Sequence, residues 1–263
     1  MKSIAKKLAL VAAMASPLAA LAAGGGGLLG GVHDFATNAD YLSTQMAGDG
    51  VTPLPGANSV GLCSYCHTPH SALSTTLLWN HKLSTNSFTW DDATTQAGTA
   101  YPTLAPTYKG TSVKCLSCHD GSVAVGDVNL YKDTTPANFN TFKVTGYTMI
   151  ANGASMSKNH PIGMPYPFGQ VTNTYNGVAS GANTVWTEFV TDPVNQNSTK
   201  IKLYNDSGTG LITQGAVAGK SGIECSSCHD VHDKSSVDEM LLRGKIEGST
   251  AAGGYICLQC HTK

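Results

Sequence analysis

The sequence predicts a mostly irregular fold with short helices at a repeated cysteine motif and a small β-hairpin insert. Three observations predict this fold. The pattern Cys-x-x-Cys-His occurs four times and uses all eight cysteines of the 263-residue chain. The stretches between the repeats are rich in Gly, Thr, Ser and Asn, which favour turns and loops. Residues 170–215 lack the motif and contain alternating runs of β-forming residues.

The four repeats have the spacing of c-type haem attachment. Two thiols separated by two residues can bond the two vinyl groups of one porphyrin, and the histidine that follows then lies under the iron as its proximal ligand. A zinc site or a thioredoxin-like redox pair also uses Cys-x-x-Cys, but neither explains a histidine after every motif. We therefore predict four covalent haem c groups. The attachment residues are Cys63, Cys66, Cys115, Cys118, Cys225, Cys228, Cys257 and Cys260, and the proximal ligands are His67, His119, His229 and His261.

The number of haems explains why so irregular a chain can fold. We expect a single tetrahaem domain over residues 24–263, which leaves roughly 60 residues for each haem. Loops of that length are normally evidence against a compact domain. Haem groups that form much of the hydrophobic core would replace the missing secondary structure. The prediction is therefore a multihaem cytochrome c fold.

Two of the motifs carry a second histidine three residues after the proximal ligand. His70 follows His67, and His232 follows His229. Residues three apart share one face of a helix, so the second histidine cannot reach the far side of the haem that the first one holds. We expect His70 and His232 each to bind a different haem. Each such motif then brings two porphyrins close together, and close porphyrins exchange electrons.

Five histidines remain for four distal positions, and they are His33, His70, His81, His160 and His232. All four irons can therefore be bis-His, whereas a distal methionine would raise the potential. Pro161 holds His160 extended, which suits a ligand offered from a loop. The spare histidine is His81 or His33. We favour His81 as the spare because it ends an apolar turn that Trp79 anchors, and the ligand set is then His33, His70, His160 and His232.

Residues 1–23 have the features of a secretory signal peptide. Three lysines precede an apolar run and then small residues, with cleavage expected after Ala22 or Ala23. Loss of those lysines would take the net charge from -1 to about -4, which does not favour nucleic acid or an anionic membrane surface as a partner. No cysteine lies at the boundary to carry a lipid anchor. We expect export through the periplasm to an extracellular or cell-surface location.

The remaining segments follow in chain order. Residues 24–32 form a glycine-rich flexible arm that delivers His33 to a haem of its own chain or of a neighbouring subunit. Within residues 170–215, the runs Thr184–Val190 and Lys200–Tyr204 predict the two strands of the hairpin. The fourth motif lies near the end of the chain, so its haem is expected at an edge of the protomer.

The ordered motifs resemble those of extracellular tetrahaem c-type cytochromes of metal-reducing bacteria, of the outer-membrane cytochrome E type. The matching stretches are Cys66-His67-Thr68-Pro69-His70, Leu78-Trp79-Asn80, Cys118-His119-Asp120-Gly121, Asn159-His160-Pro161, Cys228-His229-Asp230-Val231-His232 and Cys257-Leu258-Gln259-Cys260-His261. Those cytochromes polymerise into nanowire filaments. The resemblance implies bis-His haems in stacked and T-shaped pairs, and a histidine passed between subunits, a role that His33 would fill.

The function expected from these observations is electron transfer through four haems, as the repeating subunit of an extracellular conductive filament. Its partners would be further copies of the chain, redox proteins and extracellular electron acceptors. A monomeric periplasmic or surface shuttle is the alternative. A multihaem reductase is less favoured, because it needs an iron with an open position and distal histidines are in surplus here. The least favoured alternative is a structural or adhesion role with haem as a staple. No catalytic side-chain set is recognisable, so we do not expect an enzyme.

Overall fold

The computed structural model describes residues 28, 33, 63–70, 72–73, 76–129, 143–146, 149–151, 153–195, 201–209, 211–232, 240–246 and 248–262. The expected signal peptide and nearly all of the glycine-rich arm lie outside the described residues. Within the described part of the chain, no helix has both the length and the apolar character needed to cross a membrane.

A short helical turn forms at each of the four motifs, because cysteines three residues apart lie on one face of a turn. The second motif lies in helix α1 (Ser112–His119), and helix α2 (Cys225–Cys228) begins the third. In the first motif, the N–H of His67 donates to the carbonyl of Cys63 at 2.8 Å. Single 3-10 turns among the described residues are Thr76–Leu78, Phe168–Gln170, Trp186–Glu188 and, in the fourth motif, Cys257–Gln259.

The described strands form two antiparallel sheets. The larger sheet has the order β1, β6, β4, β5, and the smaller one pairs β2 with β3. The strands are β1 (Met164–Pro165), β2 (Thr174–Tyr175), β3 (Val178–Ala179), β4 (Tyr204–Asp206), β5 (Ile212–Gln214) and β6 (Ser221–Ile223).

The strands of region 170–215 differ from the two that the sequence predicted. The region holds two hairpins, β2–β3 and β4–β5, and the second joins β1 and β6 from outside the region. The expected strand Thr184–Val190 instead contains the 3-10 turn Trp186–Glu188, after which Phe189 pairs with His261. Phe189 therefore serves a contact with the fourth motif and not a hairpin partner, whereas Val185 is 50% exposed.

A hydrophobic core made of protein side chains lies between α1 and the sheets. Val113 and Leu116 of α1 are buried there against Tyr175 of β2 and Tyr204 of β4. Gly222 of β6 lies directly against the Tyr175 ring, where a Cβ atom would clash. The other buried members of this core are Phe88, Leu104, Tyr108, Ala151, Met156, Ile162 and Ile212.

The carboxylate of Glu224 joins the start of α1 to the start of α2. Glu224 is only 1% exposed and accepts hydrogen bonds from the hydroxyls of Tyr108 and Tyr175, the latter at 2.7 Å. It also accepts from the Ser112 backbone N–H at 2.9 Å and the Ser112 hydroxyl at 2.5 Å. That hydroxyl in turn accepts the N–H of Cys225 at 3.0 Å. Every contact on this carboxylate is a donor, so its negative charge is satisfied without a water molecule.

We expect the substitution Glu224→Gln to lower the free energy of unfolding by about 2 kcal/mol, because an amide replaces one acceptor oxygen and leaves buried donors without a partner. Guanidinium denaturation of the haem-loaded protein, followed by circular dichroism, measures this change. Asp192→Asn is the control, since the hydrogen bonds of that carboxylate among the described residues go to its near neighbours Val194 and Asn195. Equal losses in the two variants would contradict a special role for Glu224.

Candidate haem-binding site

The first motif is held by a segment that folds back along it. The N–H of Thr68 donates to the carbonyl of Leu78, and the N–H of Asn80 donates to the carbonyl of Cys66, both at 2.9 Å. Trp79 thereby lies opposite His67 as an antiparallel bridge pair. We call such a fold-back segment a clamp, and here it consists of residues 77–80.

The third motif has the same clamp, formed by residues 240–243. The N–H of Asp230 donates to the carbonyl of Leu241, and the N–H of Arg243 donates to the carbonyl of Cys228, both at 2.7 Å. Leu242 lies opposite His229, as Trp79 does opposite His67. Side chains repeat the pattern as well, because Asn80 and Arg243 each donate to the carbonyl of the residue after the first cysteine of their motif.

The fourth motif has a clamp that comes from a distant part of the chain. The N–H of Thr262 donates to the carbonyl of Glu188 at 3.0 Å, and the N–H of Val190 donates to the carbonyl of Cys260 at 2.9 Å. Phe189 lies opposite His261. Three of the four motifs are therefore held by one recurring arrangement. Sequence reasoning missed it because the clamp segments share little beyond apolar character.

The clamps orient the proximal histidines. Nδ1 of His67 lies 2.6 Å from the carbonyl oxygen of Leu77, and Nδ1 of His229 lies 2.6 Å from that of Met240. A carbonyl at Nδ1 fixes the ring orientation and its tautomer, which leaves Nε2 as the metal-binding nitrogen. Leu77 has a φ of 63°, a left-handed conformation that costs a non-glycine residue about 1 kcal/mol or more. That strain serves the orientation of His67.

Three proximal histidines each face one of the predicted distal histidines. The ring centres of His67 and His232 are 6.1 Å apart, those of His119 and His33 are 6.0 Å apart, and those of His261 and His160 are 6.4 Å apart. An iron between two imidazoles lies about 2 Å from each nitrogen, and each nitrogen lies roughly 1 Å from its ring centre, so ring centres about 6 Å apart are expected. The three pairs fit a bis-His haem.

His33 and His160 have the properties expected of distal ligands. Burial, followed by the positive charges of His119 and His229, lowers the pKa of His33 to about 4, so its ring is neutral near pH 7 and can bind a metal. His33 pairs with a histidine of its own chain, whereas the resemblance assigned it to a neighbouring subunit. Nδ1 of His160 lies 2.9 Å from the carbonyl oxygen of Pro161, which leaves Nε2 toward His261.

His81 occupies a different kind of site. It is 2% exposed, and its Nε2 and Nδ1 atoms lie 2.8 Å from the carbonyl oxygens of Ala124 and Lys82. Both ring nitrogens therefore contact backbone carbonyl groups, and the choice of His81 as the spare histidine stays a prediction. Its Nε2 also lies 3.5 Å from Sγ of Cys118, and its ring packs on Trp79. His81 thus fills the space between the first two motifs.

Neighbouring motifs approach each other in the order of the chain. The pKa of the Cys118 thiol is raised by burial and also by the nearby Cys66 thiol. A hydrogen bond with Cys115 raises the pKa of Cys225, and burial followed by the Cys225 and Cys257 thiols raises that of Cys228. The thiols that meet between successive motifs are Cys66 with Cys118, Cys115 with Cys225, and Cys228 with Cys257. The first three attachment sites therefore lie together, since His232 of the third motif also faces His67 of the first, and the fourth site adjoins the third.

A cavity of about 630 Å³ opens beside His160. One wall is formed by Trp90 and Tyr101, whose rings stack with centres 5.6 Å apart. This volume lies within the range of sites that enclose flat organic ligands. The cavity thus provides aromatic surface beside the histidine pair of the fourth motif.

Comparison with known proteins gives a family match over residues 216–263, which fit the model described as a doubled CXXCH motif. The matched stretch contains the third and fourth motifs. No curated protein matches the chain. The match indicates a multihaem c-type cytochrome-like protein. Its paired CXXCH motifs imply covalently bound haem c and a function in electron transfer.

We expect His232→Met to convert the haem of the first motif from bis-His to His/Met ligation, since His232 faces His67. Electron paramagnetic resonance of the oxidised protein, together with the near-infrared band of methionine-ligated haem, detects the change. His81→Gln is the matched control and should leave every haem bis-His. A fully bis-His spectrum for His232→Met, or a lost ligand in His81→Gln, would contradict the histidine pairs.

Proposed function

We propose that this chain transfers electrons along four bis-His haems. The observation that carries the proposal is the set of three histidine pairs with ring centres 6.0–6.4 Å apart. These pairs assign His232 to the first motif, His33 to the second and His160 to the fourth. His70 remains for His229 of the third motif. His70 and His232 would then be exchanged between the first and third motifs.

Each residue group has a defined part in this function. A bound haem supplies an iron that gains and loses one electron. The clamps hold His67 and His229 in one orientation through their Nδ1 atoms. The orientation of these ligands therefore stays the same when the iron changes its oxidation state. Glu224 holds the second and third motifs together, which keeps their separation constant. Short, fixed separations favour fast transfer because tunnelling falls steeply with distance.

Electron transfer without substrate turnover is the favoured function. A reductase needs an iron whose distal ligand is absent or easily displaced. In the proposed assignment, each of the four proximal histidines has a distal histidine from the same chain. The chain is therefore proposed to be a carrier or conductor and not an enzyme.

We expect the purified protein to contain four haems per chain, all low-spin in both oxidation states. The pyridine haemochrome assay and intact mass give the number of haems, and absorption spectra under carbon monoxide test for an open iron. No spectral change with carbon monoxide is expected, because every iron has two imidazoles. Stoichiometric binding of carbon monoxide to one haem would favour the reductase.

Assembly into an extracellular filament, as the resemblance implies, is the second part of the proposal. The observation that favours it is the exposure of Cys63 in the first motif and of Cys257 in the fourth. Porphyrins attached there would have accessible edges, so a second copy could dock at either of them. Because His33 pairs with His119, subunit contact would rely on these edges and not on a shared ligand.

Cryo-electron microscopy of material secreted by the native host tests the filament. We expect haem-bearing filaments in which the first motif of one subunit lies against the fourth motif of the next, with His33 bound within its own chain. Only single subunits with four closed irons would favour the monomeric shuttle. A His33 bound to the haem of a neighbour would contradict the intrachain pair. Sequencing the N-terminus of the same material tests export.

A further inference from the structure

In two of the motifs, an aspartate directly follows the proximal histidine. The two aspartates differ in the groups that contact their carboxylates. Asp120 follows His119 in the second motif, and Asp230 follows His229 in the third. Both carboxylates are largely buried, with Asp120 3% exposed. A buried charge acts on its neighbours through a lower effective dielectric than a surface charge. The balance of charge at these two positions therefore bears on the adjacent haems.

Asp120 is held as a carboxylate by neutral donors. Its Oδ2 accepts from the Ser84 hydroxyl at 2.5 Å and from the Asn86 amide at 2.9 Å. Its Oδ1 accepts from the N–H and hydroxyl of Ser122, at 2.8 and 2.7 Å. Among the residues that the structure describes, none forms an ion pair with Asp120.

Asp230 is compensated by Arg243. Nη1 of Arg243 lies 2.8 Å from Oδ2 of Asp230, and the arginine side chain is only 4% exposed. The arginine belongs to the clamp of the third motif, where its Nε donates to the carbonyl of Ser226 at 3.1 Å. Asp230 also accepts the backbone N–H of His232 at 3.1 Å. The pair is thus a fixed, neutral unit beside His229.

In the first motif, the side chains at the two corresponding positions also have no net charge, because both are neutral. Thr68 stands at the position of Asp230, and Asn80 stands at the position of Arg243, as the matching hydrogen bonds of the two clamps show. One motif therefore has a neutral pair of side chains, and the other has an ion pair. The second motif has neither arrangement, because the described residues that contact its aspartate are all neutral donors.

Other charges near the second and third motifs do not remove this difference. Glu224 lies between the two motifs, at the start of both helices, and contributes to both. Lys114 lies near Glu224 at that same end of α1 and offsets it. Asp120 lies at the opposite end of the helix.

We propose that uncompensated Asp120 gives the haem of the second motif a lower reduction potential than the haem of the third motif, where Arg243 neutralises Asp230. An oxidised bis-His haem carries one more positive charge than a reduced one, so a nearby carboxylate stabilises the oxidised form. An electron that passes between the second and third haems then meets an energetic step. The inference rests on the proposed four-haem function.

The test is a redox titration of the haem-loaded protein, in which haem methyl resonances followed by two-dimensional exchange NMR assign each step to one haem. In the wild type, the second haem is expected to be reduced after the third. Asp120→Asn should raise the potential of the second haem, and Arg243→Gln should lower that of the third. The other haems should shift less in each variant.

Two controls separate charge from structural damage. The double variant Asp230→Asn with Arg243→Gln replaces an ion pair by a neutral pair and should leave the third potential near the wild-type value. Asp206→Asn removes a carboxylate of β4 that accepts only the N–H groups of Asn176 and Gly208, and should shift no single haem selectively.

The outcomes are distinct for the two proposals. A second haem reduced before the third in the wild type, or an unchanged second potential in Asp120→Asn, would overturn the charge inference. If a variant fails to assemble, the order in which the second and third haems of the wild type are reduced still tests the charge inference. Haem counting and electron paramagnetic resonance on the same samples report the four bis-His sites independently. A lower haem count or a high-spin iron in the wild type would instead contradict the proposed function.

Discussion

The buried carboxylate of Glu224 is the interaction on which the arrangement of the described structure depends. It accepts donors from α1, from β2 and from Tyr108, and it directly precedes the first cysteine of the third motif. The second and third motifs are 110 residues apart in sequence, measured between Cys115 and Cys225. The four hydrogen bonds to this carboxylate are directional, so they fix the relative position of the two cofactor sites that they join.

The clamps stabilise the helical turn within a single motif. A single helical turn leaves most of its backbone groups without partners and would fray in isolation. A fold-back segment provides those partners through short-range hydrogen bonds and at the same time places a carbonyl at Nδ1 of the proximal histidine. The side chain opposite the histidine varies between Trp79, Leu242 and Phe189, because the backbone and not the side chain does the orienting. The arrangement therefore recurs in sequences with little similarity.

The sequence predicted the features in which haem chemistry requires particular residue types. It predicted much less where a contact depends on the path of the backbone. Cysteine spacing alone predicted helical turns at the motifs, and counting histidines led to the choice of His81 as the spare, which stays a prediction. Alternation over Thr184–Val190 predicted a hairpin strand, but the segment contains a 3-10 turn, and Phe189 then pairs with His261 of the fourth motif. That contact joins segments far apart in the chain. Glu224 could not be recognised either, because its donors come from positions 108, 112 and 175. Such contacts depend on the three-dimensional path of the chain and leave no local pattern.

The origin of the fourth clamp has a consequence for how the domain opens. The clamp of the first motif closes over ten residues and that of the third over eleven, whereas Thr262 reaches Thr187 across 75 residues. Because loop-closure entropy grows with the logarithm of loop length, the last contact costs about 2 kcal/mol more to form than the local ones. Local opening should therefore begin at residues 257–262, and the amide hydrogens there should exchange with solvent before those of the other clamps. The fourth motif, whose Cys257 is exposed, is thus also the site most able to adjust its shape to a partner.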